Sequence, residues 1–152
     1  MEQTKEYKLK LSKLVKAAEG FKKLVDIDIA KLNPVLKDGI KNGRIQKFEY
    51  CVELLWKTIK DYLYFNSGID TKTPKQAMKD FLLAGFTDDK NYVILIEMLD
   101  SRNKLSHIYN EKIYNEINKN KDRTQTLFKR GGASIKKMMK GLSKRNPFTS
   151  KY

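Results

Sequence analysis

Tyr7, Leu11, Leu14, Ala18, Phe21 and Val25 recur at steps of 4, 3, 4, 3 and 4. That spacing lays the apolar side chains along one face of a helix and leaves the charged positions between them on the other. Asn33-Pro34 interrupts the pattern, and the Asp38-Gly39 and Asn42-Gly43 pairs add turn-prone points, so a second helix is expected to start near Arg44. From there Ile45, Phe48, Val52, Leu55, Ile59 and Tyr62 give the clearest amphipathic stripe in the chain, with Phe65 and Gly68 marking its end. Thr73-Pro74-Lys75-Gln76 reads as an N-cap, a proline at the first helical position and a capping-box Gln, which predicts a short helix to about Leu83 and the Ala84-Gly85 stop. Thr87-Asp88-Asp89 offers caps for a fourth helix, whose Tyr92, Ile94, Leu95, Ile96, Met98 and Leu99 should lie deep in the core.

Beyond it, Asn110 to Ile117 reads as another helix start. Gly131-Gly132 breaks the chain before Ile135, Met138, Met139 and Leu142, which return at helical spacing among lysines. No segment alternates with period two over a strand's length, and no repeat on the order of 20 to 50 residues is visible. The expected fold is all-α, an up-and-down bundle of antiparallel helices. Near-heptad stripes on the first two helices suit packing at about 20° between axes, and either stripe could instead face a second subunit.

Charge divides the chain. Of 32 Lys and Arg and 18 Asp and Glu, residues 119–152 hold 11 bases and 1 acid, so that segment carries +10 and residues 1–118 only +4. The division expected is a helical domain over 1–118 and a basic C-terminal tail over 119–152. The tail could clamp RNA phosphates, lie on a membrane surface or stay disordered, and its composition favours disorder. No apolar run approaches the roughly 20 residues that span a bilayer, and the N-terminus lacks a signal-like apolar stretch, so a cytoplasmic location is expected. Cys51 and His107 are each the sole residue of their kind. A single cysteine cannot form an intrachain disulfide and is read as a buried small hydrophobe; with one histidine as well, neither a metal nor a cofactor is expected.

Chemistry concentrates in Asp100-Ser101-Arg102-Asn103-Lys104-Leu105-Ser106-His107-Ile108-Tyr109. Histidine exchanges a proton near neutral pH and can act on a 2′-hydroxyl or a leaving oxygen, while the arginine fork can hold charge on phosphate. Together they could cleave RNA without a metal. Spacing alone, however, favours a plain reading: Arg102 as a helix-end charge, His107 as a turn residue and Tyr109 as a core aromatic. On an unbroken helix the five steps from Arg102 to His107 turn the side chain by about 140°. The two can converge if the helix ends near Asn103 and turns at Leu105-Ser106, or if a two-fold dimer brings one residue from each subunit; the dimer is the favoured route.

Two segments resemble a known family. Arg44 through Leu63 is similar to the long second helix of HepT-like proteins of the HEPN superfamily, also described as nucleotidyltransferase substrate-binding subunits. Arg102, four residues, His107, one residue and Tyr109 match that family's motif. The similarity covers about residues 7–118 and implies a four-helix bundle of HEPN type that forms a homodimer. It also implies a minimal nucleotidyltransferase as partner. In toxin–antitoxin members the helical protein is a metal-independent endoribonuclease, silenced when the partner adenylylates the motif tyrosine. Carried over, the resemblance makes His107 the general acid or base, Arg102 the phosphate ligand, Tyr109 the AMP acceptor or substrate contact, and Asn103 and Ser106 supporting polar groups. The alternative it leaves is a non-catalytic adaptor that presents substrate to the nucleotidyltransferase. Glu49, Glu53, Trp56 and Lys57 match the second-helix pattern and are read here as structural. After Ile117 the sequence departs from the family's closing apolar helix.

Overall fold

A computed structural model describes residues 2–106, and the side chains of residues 5–104. It contains α1 (Glu2–Val25), α2 (Pro34–Ser67), α3 (Pro74–Leu83) and α4 (Asp89–Ser106), with no strand among the described residues. Neither the Asn110–Ile117 segment nor the 119–152 tail falls within the described residues.

The expected four-helix bundle forms, with α2 packed against each of the other three helices. Tyr7 of α1 meets Tyr62 of α2 and Phe21 meets Phe48, with ring centroids 6.3 and 6.0 Å apart. Residue numbers fall on one helix as they rise on the other, so α1 and α2 run antiparallel. Lys75 near the start of α3 reaches Asp100 late in α4 at 3.1 Å, which makes a second antiparallel pair joined through residues 84–88. Tyr7, Leu14, Ala18 and Phe21 of α1 and Phe48, Val52, Leu55 and Ile59 of α2 are buried where the stripes predict. Cys51 is likewise buried, and burial pushes its thiol up to about 12. Phe81 and Phe86 close the far end of the core around Tyr62, at 6.2 and 4.9 Å in edge-to-face geometry.

Two local expectations are corrected. First, α2 begins at Pro34, ten residues before Arg44. Asn33 acts as its N-cap: its side-chain oxygen accepts from Leu36 N at 2.9 Å, and Pro34 presets the first turn, so the dipeptide read as a break opens the helix instead. The Asp38-Gly39 and Asn42-Gly43 pairs are helical. At Gly43 a Cβ would stand 3.3 Å from Leu24 Cδ1, so the missing side chain lets the end of α1 approach. The helix ends where Gly68 adopts φ +66° and donates to Tyr64 O, a left-handed cap open to glycine at low cost.

Second, the capping box of α3 is half formed. Thr73 Oγ1 accepts from Gln76 N at 3.2 Å, but the Gln76 amide donates to Asp80 one turn on rather than reaching back. The fourth helix, α4, runs through Ser106. Its start follows expectation, with Asp88 Oδ1 accepting from Asn91 N at 2.7 Å.

Arg44, named in the sequence only as a helix start, is buried at the junction of α1 and α2. Its Nε donates to Leu24 O at 2.9 Å and its Nη2 to Ile27 O at 2.8 Å, with a longer contact to Val25 O at 3.4 Å. These carbonyls lie at and just beyond the end of α1, where no intrahelical N–H reaches them. One side chain of α2 therefore caps α1 and fixes the register in which the two helices pack.

Candidate functional site

Along α4 the buried positions Leu95, Met98 and Leu99 form the stripe that faces the core, and the next position on it is Arg102. The side chain emerges at the seam between α4 and α2, 22% exposed. There Arg102 Nη1 donates to Glu53 Oε2 at 2.5 Å, and Lys57 Nζ lies 3.2 Å from Glu53 Oε1, one turn along α2. Two cations from different helices thus share one carboxylate. The indole N–H of Trp56 faces the same carboxylate, buried and without a hydrogen bond of regular geometry. Burial pushes the Glu53 carboxyl upward, but the surrounding donors and positive charges of Trp56, Lys57 and Arg102 outweigh it and hold the group below the usual glutamate range.

Of the residues expected to form the site, Arg102 is thus placed on a buried stripe and held from α2. Asn103 is exposed on the same helix, and Ser106 is its last residue. His107 and Tyr109 lie outside the described residues. Because α4 continues unbroken through Ser106, the single-chain route to convergence, a helix end near Asn103, is not taken.

Glu53 is the group that sequence reasoning set aside. Its pairing with Lys57 is the expected surface pair, but its contact with Arg102 spans 49 residues and was not foreseen. The available signal was the match of Glu53, Trp56 and Lys57 to the same family pattern as Arg102. Trp56 does what was expected of it, packing half-buried against the core. Asp100, two positions before Arg102, faces the other neighbour through its ion pair with Lys75, so α4 is tied to both α2 and α3 near its C-terminal end. Chemically the cluster supplies a guanidinium and an ammonium at one seam, a combination that suits an oxyanion.

The four helices form an all-α bundle, and comparison places the chain in a known family of that kind. It belongs to the family described as nucleotidyltransferase substrate binding protein-like, whose pattern matches residues 5–131. The crystal structure of a protein from Thermus thermophilus is similar: 25% identity, a TM-score of 0.62, and coverage of 87% of this chain and 97% of that one. No curated protein matches the sequence. Among the described residues no helix is long and apolar enough to cross a membrane.

Proposed function

We propose that this chain is the helical partner of a minimal nucleotidyltransferase and carries an RNA-directed site built on Arg102, His107 and Tyr109. In this reading the helical protein is a HEPN-type, metal-independent endoribonuclease. His107 exchanges the proton of the 2′-hydroxyl or of the leaving oxygen, and Arg102 neutralises the charge that develops on phosphate. The nucleotidyltransferase controls it by transferring AMP to Tyr109, as the toxin of a toxin–antitoxin pair is controlled. Two copies of the chain supply the arginine and the histidine to each centre.

The observation that carries the reading is the placement of Arg102. A cation meant only to favour a helix end would point into water, whereas this one continues the buried stripe of α4 and is held at an interhelical seam by Glu53. Family membership supports the partner. The test is incubation of purified chain with RNA in excess chelator. Wild type is expected to cleave, and His107→Ala, equally helical by circular dichroism, to lose cleavage by at least about a hundredfold. Undiminished cleavage by the variant refutes the role of His107.

A second reading is favoured by the family description itself and by the carboxylate already seated on Arg102. Here the chain cleaves nothing and presents a substrate to the nucleotidyltransferase. RNA left intact by the isolated chain, together with tight binding to the nucleotidyltransferase, supports this reading over the first.

A further inference from the structure

Both oxygens of the Glu53 carboxylate are engaged by cations, Oε2 by Arg102 and Oε1 by Lys57. A carboxylate and a phosphodiester present the same feature to such a pair: two oxygens sharing one negative charge. Arg102 is held by the buried stripe of α4, 22% exposed, whereas Lys57 and Glu53 both reach out from α2, 51% and 39% exposed. Water therefore has access to the Glu53 side chain, and its contact with Arg102 can exchange. The buried Trp56 N–H faces the same carboxylate.

We infer that Arg102 and Lys57 form a seat for a phosphodiester oxyanion of a single RNA strand, and that Glu53 occupies this seat in the resting chain as an internal competitor. The inference rests on reading Arg102 as the phosphate contact of the RNA-directed site and is independent of the proton transfer assigned to His107. It makes Glu53 a regulatory group. Were Glu53 instead a clamp that orients Arg102 for phosphate, its removal would have the opposite sign.

The experiment measures binding of a fluorescein-labelled 2′-O-methyl oligoribonucleotide by anisotropy at fixed salt. The probe has no free 2′-hydroxyl, so binding is read without cleavage. The proteins compared are wild type, E53Q, R102Q, the E53Q/R102Q double variant and E6Q. The last removes one negative charge from an exposed position that touches Lys10 and not the seat.

Expected is binding about tenfold tighter for E53Q, the size of one charge-assisted hydrogen bond no longer competed for. E6Q should gain less than about twofold, since exposed charges act weakly through salt. The gain should vanish when Arg102 is also replaced. Unchanged or weaker binding by E53Q, an equal gain by E6Q, or a gain that persists without Arg102 overturns the inference. Should E53Q lose its helical signal, Glu53→Asp, which shortens the side chain by one methylene, is expected to gain by a smaller factor, and no gain there overturns it. RNA that wild type fails to cleave would end the nuclease reading without touching this result.

Discussion

Replacing Arg44 by Met keeps the aliphatic stem in its slot and deletes the guanidinium that caps α1. Leu24 O and Ile27 O then lose donors now 2.9 and 2.8 Å away, while the 3.4 Å contact to Val25 O is too long to count for much. A hydrogen bond to a charged donor contributes about 1.5–3 kcal/mol net, and Ile27 is exposed enough for water to take over at its carbonyl, so the expected loss is about 2–4 kcal/mol. For a chain of this length that corresponds to a fall in melting temperature of roughly 4 to 16 °C. Arg44→Lys retains charge but not the fork and should lose about half as much. Urea unfolding followed by far-ultraviolet circular dichroism reads both variants. A loss below about 0.5 kcal/mol for the Met variant, the level of an ordinary surface substitution, would show that apolar packing alone holds the end of α1.

Gly39→Ala, inside α2 with open space around the new Cβ, should stabilise by about 0.5–1 kcal/mol, whereas Gly68→Ala at φ +66° should destabilise by about 1 kcal/mol; paired urea titrations separate them. Thr73→Ala removes the acceptor for Gln76 N and should cost about 1 kcal/mol by the same assay. Native Cys51, its thiol pushed up to about 12 by burial, should resist iodoacetamide at about pH 8 and label once urea unfolds the chain. Glu53 is held below its unfolded value, so its contribution to stability is present above about pH 4.3 and lost as pH falls through the folded value. E53Q should therefore flatten the acid limb of stability against pH; a limb as steep as wild type's would show that other carboxylates carry it.

The stripes on α1 and on the later part of α2 were legible because burial of one face imposes the 3–4 spacing directly on the sequence. The cap of α3 was legible because Thr73 and Pro74 act locally. The start of α2 was misread for a physical reason: Asn33-Pro34 both breaks one helix and opens the next, and the helical cost of Gly39 and Gly43 is offset at Gly43 by the close approach of Leu24. Arg44 and Glu53 share a different blindness. Their partners lie on or beyond the ends of other helices, 17 to 20 residues away for Arg44 and 49 for Glu53, and no short-range pattern encodes a contact between helices. Within the site, Arg102 was therefore found from its motif, while the carboxylate that holds it appeared only once α2 and α4 were packed.

The most direct test of the central claim, that Arg102 and His107 work as one centre across two copies of the chain, is a mixing experiment. Arg102→Gln and His107→Ala proteins, each inactive on RNA alone, are unfolded together, refolded and assayed in chelator. Mixed pairs should regain cleavage, because one of their two centres holds an intact arginine and an intact histidine. A mixture as inactive as its components, beside a wild-type sample that refolds to full activity, would contradict a centre shared between subunits.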